Sequence, residues 1–498
     1  MNESTMMDFP LTLAAILRRA ETWFGRVEVV SSAGRGNWAE VARRARGLAG
    51  ALREAGVEPG DRVATLRWNN VEHLHAYFGV PLAGAVVHPL NLRLHAEELI
   101  RIMNIAGDRF ILVDDALLPL WEQIRPRVAA RRLETTDNAA AFCEPAIEET
   151  AGAGMAFTSG TTGDPKGVIY SHRAIALHAL ATALPDAMNL RQTDCVFPLV
   201  PMFHANAWGI PYAAAMVGCK LVLGGPCFDA ESALDWLACE QVTFSAGVGV
   251  IWQNIFDALE REPGRWRLHP ELRVNLGGAP ASMALFRRFD RHHIAVNMGW
   301  GMTEMTPVGT MNPNYSGERR TRQGRPLPFV EARTADSGEL EVRGPWVAAN
   351  YIGGADPGAW TGDGWFRTGD VVEFDDQGLM EIVDRHKDLI RSGGEWISSV
   401  ALENALATHP SVREAAVIAV PHEKWQERPL AVVACTTPVT PEELDAWLVS
   451  SFAGWQRPDA YVFVDALPRT STGKIDKKRL RERHGARGTT HPPLSLTS

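Results

Sequence analysis

The sequence predicts an α/β protein with a large N-terminal domain of helix-covered sheets and a small C-terminal α+β domain, joined by a hinge. Its 498 residues exceed what one hydrophobic core usually supports, so two domains are expected. Short β-like segments alternate with helical ones over most of the chain, as in parallel sheets covered by helices. After Gly338 the pattern changes to short β-like runs separated by glycine-rich turns.

Apolar periodicity and turn residues define the predicted elements. The apolar stretch 9–17 is short and is followed by Arg18 and Arg19, so it is interpreted as a helix and not as a signal peptide. The next helix, 38–55, has apolar positions at helical spacing and ends before Gly56. Further helices are predicted at 231–240, 400–408 and 441–452, and strands at 62–66, 110–113, 195–200, 221–223, 294–298, 340–343, 371–374, 380–383, 412–420 and 430–435.

The run Asp384-Arg385-His386-Lys387-Asp388 precedes a change in architecture. The chain beyond this run has the pattern of an α+β unit of about 110 residues, near the usual size of one domain. We therefore expect one domain at 1–386 and a second at 387–498.

Composition excludes several classes of protein. A net charge of −9 argues against a nucleic-acid or anionic-membrane binder, whose surface would be positive. No apolar run approaches the roughly eighteen residues of a membrane span. The 6 cysteines lack CxxC spacing, so neither a zinc site nor a disulfide framework is indicated. Reduced thiols and a cytoplasmic location are expected.

Two loops rich in glycine and hydroxyl groups give the first functional information. Residues 158–167 offer closely spaced backbone N–H groups, hydroxyl donors and one cation, as an anion nest does. This loop is not a Walker A motif, because proline precedes its lysine and glycine follows it. The second loop, 468–474, ends in Lys474. One loop to hold phosphates and a mobile cation to approach them indicate an enzyme that joins a carboxylate to AMP.

Further motifs stand in order along the chain, at residues 201–208, 277–280, 299–304, 364–370 and 392–395. Together with the two loops, they resemble the motifs of the adenylate-forming superfamily, and within it the acyl-CoA synthetases. The resemblance covers nearly the whole chain. It is strongest to medium- and long-chain fatty acyl-CoA synthetases and to methylthiopropionate-CoA ligases.

The resemblance implies that ATP binds to the large domain and that the small domain is a mobile lid. Asp370 is expected to accept the ribose hydroxyls. Trp300 is expected to form one wall of the adenine pocket, a buried core tryptophan being the alternative. The residues implied in ATP or AMP binding are Thr158, Ser159, Gly160, Thr161, Thr162, Lys166, Gly278, Ala279, Pro280, Gly299, Trp300, Gly301, Met302, Thr303, Asp370, Arg385, Arg391 and Trp396.

The same resemblance implies which groups act on the phosphates. Lys474 is expected to neutralise charge that develops between the incoming carboxylate and the α-phosphate. Glu304 and Thr158 are expected to hold a magnesium ion, since a hard cation prefers oxygen ligands. His204 completes the implied catalytic set.

Lys387 resembles the hinge about which the small domain turns between adenylation and thioester formation. In the second arrangement, Ser392, Gly393, Gly394 and Glu395 are expected to line the coenzyme A channel. Glycine at such positions leaves room for a narrow thiol arm.

The acyl pocket is the least defined part of the predicted site. Its implied residues are His204, Trp208, Gly209, Val248 and Gly249, with the tryptophan as a gate. Amino-acid-activating relatives carry an aspartate near the position of His204. This sequence has no aspartate there, which favours a simple carboxylic acid as the substrate. Many relatives carry a Pro-Thr pair where this chain has the segment around Gly249. Because of this difference, the sequence does not define the chain length of the acyl substrate.

The sequence thus predicts an ATP-dependent, AMP-forming acyl-CoA synthetase for a small, medium or long aliphatic acid. ATP, magnesium and coenzyme A are the expected cofactors, with no nucleic-acid partner and no membrane span. A ligase that loads a carrier protein is the first alternative, and a catalytically inactive nucleotide-binding scaffold is the second. A homodimer is also left open.

Overall fold

The computed structural model describes residues 4–134, 142–158, 165–226, 229–313, 317–353, 356, 358–393, 395–470 and 473–485. Its α-helices are Leu13–Phe24, Trp38–Glu54, Val71–Leu82, Ala96–Ala106, Leu118–Ile124, His172–Ala183, Ile210–Val217, Ala230–Cys239, Gly249–Arg261, Met283–Arg291, Ser399–Leu406, Pro441–Leu448 and Lys477–His484. Single 3-10 turns occupy Asp115–Leu117, Arg125–Arg127, Thr303–Met305 and Glu318–Thr321.

The strands are numbered in chain order. They are β1 (Glu28–Ser31), β2 (Gly34–Asn37), β3 (Arg62–Leu66), β4 (Val86–Pro89), β5 (Phe110–Val113), β6 (Arg131–Arg132), β7 (Gly152–Phe157), β8 (Gly167–Ser171), β9 (Cys195–Pro198), β10 (Lys220–Leu223), β11 (Phe244–Gly247), β12 (Arg273–Leu276), β13 (Ala295–Gly301), β14 (Val308–Met311), β15 (Arg325–Pro326), β16 (Glu331–Thr334), β17 (Glu339–Arg343), β18 (Phe366–Phe374), β19 (Met380–Arg385), β20 (Ile390–Ser392), β21 (Glu395–Ile397), β22 (Val412–His422), β23 (Gln426–Cys435) and β24 (Ala460–Phe463).

Polar side chains fix where many helices begin. The first helix starts at Leu13, within the predicted stretch 9–17 and not at its first residue, because the Thr12 side chain accepts from the Ala15 N–H and caps the helix there. Asn37 caps the second helix in the same way through the Glu40 N–H. Such caps satisfy N–H groups that have no partner within the helix.

A six-stranded sheet has the order β6-β5-β3-β4-β7-β8. All its pairs are parallel except β7 and β8, which form an antiparallel pair joined by the glycine-rich loop. Strands β3 and β5 begin and end where the sequence predicts them.

The nine-stranded sheet has the order β15-β14-β13-β12-β11-β9-β10-β1-β2. Its central strands, from β13 to β1, are parallel, and the pairs at both edges are antiparallel. The carboxyl ends of β9, β11, β12 and β13 therefore meet at one edge, which is where ligands bind in open α/β sheets.

A four-stranded antiparallel sheet, β16 to β19, leads to the small domain. The small-domain sheet has the order β21-β20-β23-β22, with β24 parallel to β23. Lys387 lies between β19 and β20, so the predicted boundary falls in the connection between the two sheets. Asp384 ties this connection to the small domain, because its carboxylate accepts from the Ser399 N–H (2.5 Å) and hydroxyl (2.7 Å).

The core is dense in large side chains. Trp38, Trp252 and Trp346 are among the largest fully buried residues, and they pack within the helix-covered sheets of the large domain. In the described part of the chain, no helix combines the length and apolar character required to cross a bilayer.

Candidate active site

A cavity of about 340 Å³ lies where the carboxyl ends of the parallel strands face the small domain. Of the predicted site residues, it is lined by Thr158, Lys166, His204, Trp208, Val248, Gly278, Gly299, Trp300, Gly301, Met302, Thr303, Glu304, Arg385 and Lys474. It adjoins a cleft of about 580 Å³ between the domains, which is lined by Gly249, Ala279, Pro280, Asp370 and Lys387. Lys474 lines both spaces and so connects them.

The glycine-rich loop begins at the end of β7. The Thr158 N–H donates to the Lys166 carbonyl (2.9 Å), which closes the base of the loop. The Lys166 ammonium is paired with the Asp356 carboxylate and lies 5.0 Å from the centre of the Tyr351 ring. The predicted residues Ser159, Gly160, Thr161 and Thr162 lie outside the described residues.

Glu304 presents a buried carboxylate to the cavity. It is 6% exposed and lies in the 3-10 turn after β13. The Tyr351 hydroxyl donates to its Oε1 at 2.7 Å. Burial raises the pKa of Glu304, and the hydrogen bond from Tyr351 opposes this shift because it favours the charged form. The sequence did not single out Tyr351, since no local pattern links it to Glu304.

The variant Tyr351→Phe should move the acidic limb of the adenylation pH profile to higher pH. Without the hydroxyl, the pKa of Glu304 rises further, so the carboxylate is lost at a higher pH as the solution is acidified. We expect a shift of about one pH unit, the size of one hydrogen bond to a charge. The profile is measured by ATP–pyrophosphate exchange.

Tyr461→Phe is the matched control, because the buried Tyr461 hydroxyl makes no hydrogen bond to a described residue. An acidic limb that stays in place in Tyr351→Phe contradicts the role of this hydrogen bond.

Asp370 contacts two other residues that are predicted to bind the nucleotide. It is 3% exposed on β18 and accepts from the Trp300 Nε1 at 2.7 Å. Its other oxygen lies 3.1 Å from Nε of Arg385. Trp300 is therefore both buried and part of the site, because its indole fixes one carboxylate oxygen while its ring lines the cavity.

Lys474 enters the cavity from the small domain on a tight turn. The Gly473 N–H donates to the Thr470 carbonyl and the Thr470 N–H to the Lys474 carbonyl. Burial and the nearby Arg385 cation lower the pKa of Lys474 to about 8, against the opposing pull of Asp370 and Glu304. The ammonium is thus held where it has shed much of its water, and its charge acts strongly on a ligand.

This pKa gives a second pH prediction. Lysine is charged below its pKa, so kcat/KM for ATP should fall as the pH rises through about 8. The corresponding fall in kcat should occur at higher pH than the fall in kcat/KM, since bound phosphates stabilise the charged ammonium and raise its pKa. In Lys474→Arg the limb should disappear from this range, because guanidinium stays charged. A limb at the same pH in Lys474→Arg would assign it to another group.

His204 precedes, and Trp208 ends, an unusual backbone segment at the cavity wall. The segment Ala205–Trp208 is a left-handed turn, with φ between 44° and 57° at its four residues. Burial together with the cations of Lys474 and Arg93 lowers the pKa of His204 to about 4, so its imidazole is neutral at neutral pH.

The Trp208 ring closes one wall of the cavity. A Cβ built on Gly277 would lie 3.0 Å from this ring, so glycine lets the indole approach the backbone after β12. Gly209 lies behind the tryptophan at φ 73°, and a Cβ there would meet the His178 ring at 2.7 Å. Gly277 therefore lets the predicted gate pack against the backbone, whereas Gly209 leaves room for His178.

Val248 and Gly249 form the turn from β11 into helix Gly249–Arg261. Val248 lines both spaces, whereas Gly249 lines only the interdomain cleft. A Cβ on Gly249 would lie 3.1 Å from Leu285, so this position faces the helix packing and does not line the cavity, unlike the other residues predicted for the acyl pocket that line it.

Several predicted residues lie away from both spaces. Arg391 and Trp396 are exposed on the β20–β21 hairpin, with the guanidinium 5.7 Å from the indole centre, and neither lines the cavity or the cleft. Glu395 is exposed on the same hairpin, and Ser392 is buried against Arg428. Gly394 lies outside the described residues.

Gly393 makes a close contact that the sequence did not predict. It has φ 63°, and its N–H donates to the Trp425 carbonyl at 2.9 Å. A Cβ at this position would lie 2.8 Å from the Trp425 ring. Arg93 was also missed, although it lines the cavity 6.0 Å from the Phe203 ring centre, because a single arginine in the turn between β4 and helix Ala96–Ala106 carries no local motif.

Comparison with known sequences decides the family. The profile of the AMP-binding enzyme family matches residues 16–352, more than half of the chain, and that of the AMP-binding enzyme C-terminal domain matches residues 401–474. The chain belongs to the AMP-binding enzyme family. The family predicted from the motifs is thereby confirmed.

Three relatives of this AMP-binding enzyme are similar over nearly its whole length. A long-chain-fatty-acid–CoA ligase of Thermus thermophilus is 47% identical, covering 97% of each chain. A medium-chain-fatty-acid–CoA ligase of Ectopseudomonas oleovorans is 41% identical, covering 96% of this chain and 97% of that protein. A 3-methylmercaptopropionyl-CoA ligase of Ruegeria pomeroyi is 41% identical, covering 96% and 98%. The predicted enzyme class, an acid–thiol ligase, is confirmed by these relatives.

The fold is shared with a solved structure of known ligand state. The o-succinylbenzoate CoA synthetase of Bacillus subtilis, in complex with its acyl-adenylate intermediate, superposes with a TM-score of 0.83 at 26% identity, covering 96% of this chain and 99% of that one. The same synthetase in complex with ATP and magnesium ion gives a TM-score of 0.81. The predicted fold class is confirmed.

Proposed function

We propose that this AMP-binding enzyme is an ATP-dependent, AMP-forming carboxylic acid:CoA ligase for an aliphatic acid. One observation carries the proposal: Lys474 of the small domain lines the same cavity as Thr158 and Glu304 of the large domain. A cation on one body and an anion cradle on the other suit a reaction between two negatively charged substrates.

In the first step, a carboxylate oxygen attacks the α-phosphorus of ATP, and the bond to pyrophosphate breaks. The carboxylate and the phosphates repel each other, so the step needs positive charge between them. Lys474 supplies this charge from the small domain, and Lys166 of the glycine-rich loop is a second cation on the same cavity. The product, acyl-AMP, carries a leaving group far better than hydroxide.

Magnesium fits the residues present. Among the described residues, no group of three or more His, Cys, Asp or Glu side chains could hold a metal ion. An ion that arrives with a triphosphate needs as few as one or two protein carboxylates; Glu304 would supply one, and the Thr158 hydroxyl would be a further oxygen ligand. When bound, the ion would screen the phosphate charge.

The nucleotide is expected to span the cavity and the interdomain cleft. Asp370 would accept the ribose hydroxyls, and its contact with Trp300 would fix the carboxylate toward the sugar. The adenine would lie against Gly278, whose φ of 85° allows close backbone approach, and the Ala279–Pro280 segment of the cleft.

In the second step, the thiol of coenzyme A attacks the acyl carbonyl carbon, AMP leaves, and one proton is released. Access would follow from rotation of domain 387–498 about Lys387. Gly393, closely packed against Trp425, would then face the channel. Arg391 and Trp396 lie outside the cavity in the present arrangement, so any contact they make with the nucleotide also belongs to the second one.

An aliphatic acid is supported by the apolar residues of the cavity wall, which include Leu199, Val200, Phe203 and Ile251. Among the described lining residues, Glu304 is the carboxylate of this cavity, and it is engaged by Tyr351. An amino acid would therefore lack a partner for its ammonium. The relatives named for fatty acids and for 3-methylmercaptopropionate support the same class.

The test is a panel of straight-chain, branched, thioether and aromatic acids, assayed by pyrophosphate release. We expect turnover with aliphatic members, and thioester formation with coenzyme A rather than with a phosphopantetheinyl carrier protein. Turnover only with a carrier protein would show that the acyl acceptor is the carrier protein and not coenzyme A. No AMP release with any acid would support a nucleotide-binding scaffold.

A further inference from the structure

The carboxylate of Asp384 joins the two domains across the predicted hinge. The backbone of Asp384 belongs to β19 of the large domain, where it pairs with β18. Its side chain is buried and reaches the small domain, where Oδ2 accepts from the Ser399 N–H (2.5 Å) and hydroxyl (2.7 Å). Beside it, the Ser398 hydroxyl donates to the Val383 carbonyl at 2.6 Å. These hydrogen bonds span the predicted pivot, Lys387.

The contacts of Asp384 continue to the segment that carries Lys474. The Lys477 ammonium donates to the Ser399 hydroxyl at 2.7 Å and lies 2.7 Å from Oε1 of Glu403. The Ser399 hydroxyl therefore accepts from Lys477 and donates to Asp384. Lys477 begins the helix that follows the Lys474 turn. Asp384, Ser399, Lys477 and Glu403 thus form a boundary network that connects β19 to the Lys474 turn.

Both oxygens of the Asp384 carboxylate are engaged. Oδ1 accepts from the Arg385 N–H at 2.7 Å, and Oδ2 lies at the N-terminus of helix Ser399–Leu406, whose first N–H groups have no partner within the helix. The helix dipole also favours a negative charge at this end. If the small domain turned away, the buried charge would lose these donors, which is costly. The boundary network therefore favours the arrangement in which Lys474 lines the active-site cavity.

We propose that Asp384 is a positioning residue for Lys474, which holds the small domain in the adenylation arrangement and must release Ser399 before the thioester step. This inference rests on the two-step function proposed above. Strand β19 pairs with β18, which carries Asp370 opposite Arg385. The boundary network therefore sets the position of Lys474, expected at the phosphates, relative to Asp370, expected at the ribose.

The test compares the two half-reactions in Asp384→Asn, a variant of nearly equal volume. The asparagine amide has one acceptor oxygen, so its NH2 group must face the N–H of either Arg385 or Ser399, and one of the two hydrogen bonds is lost. We expect the ratio of acyl-AMP thiolysis to ATP–pyrophosphate exchange to rise by about tenfold or more, the effect of one hydrogen bond to a charge. An unchanged ratio, including an equal loss of both half-reactions, overturns the proposal.

Asp194→Asn is the matched control. The Asp194 carboxylate is also buried and accepts from a backbone N–H (Arg191, 2.7 Å) and a hydroxyl (Thr243, 2.7 Å), but these partners lie in the large domain. This variant should lower stability and leave the ratio of the half-reactions unchanged. If Asp384→Asn does not fold, Ser399→Ala carries the same expectation, because it removes the hydroxyl at the centre of the boundary network.

A second readout is independent of activity. Lys387 lies in a turn where the N–H groups of Asp388 (2.8 Å) and Leu389 (2.9 Å) both donate to the Arg385 carbonyl. Rotation about Lys387 breaks these bonds, so hydrogen exchange at the two amides of the ligand-free enzyme measures how often the small domain turns.

We expect this exchange to be about tenfold faster or more in Asp384→Asn, and unchanged in the Asp194→Asn control. Equal exchange in the wild type and in Asp384→Asn overturns the positioning role. A wild type that forms no acyl-AMP with any acid contradicts the proposed function instead, and the exchange measurement still decides the role of Asp384.

Discussion

Lys474→Ala should reduce ATP–pyrophosphate exchange by about 10²–10³-fold, the effect of removing a group that stabilises transition-state charge. The ammonium lines the cavity beside Glu304 and Asp370, where its pKa is lowered by burial. Alanine leaves the phosphates bound by the large domain but removes the charge that lies between them and the carboxylate. The loss should therefore appear in kcat more than in KM for ATP.

The same variant should retain thiolysis of added acyl-AMP, since that step no longer joins two anions. Arg483→Ala is the matched control, because this exposed cation on the following helix lines neither the cavity nor the cleft. Wild-type exchange in Lys474→Ala would exclude the proposed role, and equal loss of both half-reactions would point to a structural effect.

Glu304→Gln should lower kcat/KM for ATP by about 10²–10³-fold and raise the magnesium concentration needed for half-maximal rate. Glutamine keeps the volume of the buried side chain and can still accept from the Tyr351 hydroxyl. It removes only the negative charge that would hold the cation. The magnesium dependence is measured by exchange at fixed ATP.

Glu341→Gln is the control for this variant. Glu341 is buried on β17 and pairs with Arg333 at 2.7 Å, but it lines neither space of the active site. Its replacement should affect stability and leave the magnesium dependence unchanged. A magnesium dependence unaltered in Glu304→Gln would place the ion elsewhere.

Local sequence patterns correctly predicted those elements whose bounds are set by residues adjacent in the sequence. Strands β3 and β5 match their predicted bounds because each is a short apolar run between turn residues. Strand β18 begins at Phe366 rather than 371, because pairing of Phe366 with Val342 on β17 extends the strand through the motif at 364–370. The β1–β2 hairpin was not predicted, since its glycines carry little strand propensity.

Sheet order depends on contacts that no window of sequence contains. Strand β1 pairs in parallel with β10, and Val29 faces Leu221 across that pair. Such pairing is decided by which apolar faces remain to be covered after local elements form. The sequence therefore predicted the class of fold but not the strand order.

In the candidate site, too, the local motifs could be predicted and the long-range contacts could not. Motif order alone identified Glu304, Asp370 and Lys474, which the structure gathers around two adjoining spaces. The hydrogen bonds that orient them join residues far apart in the sequence, with a separation of 70 from Trp300 to Asp370 and of 47 from Glu304 to Tyr351. These partners are visible only after folding.

The left-handed turn at Ala205–Trp208 has a consequence for which acids can enter. Residues with a Cβ lose roughly 1 kcal/mol or more each in this conformation, so the turn is held by its surroundings and not by its own preference. Both polar atoms of the buried Asn206 side chain also lack partners among the described residues. The turn therefore keeps its shape only while the packing around it is intact, so an acid that displaces this packing would let the wall relax, and the length of chain accepted need not match the volume of the empty cavity.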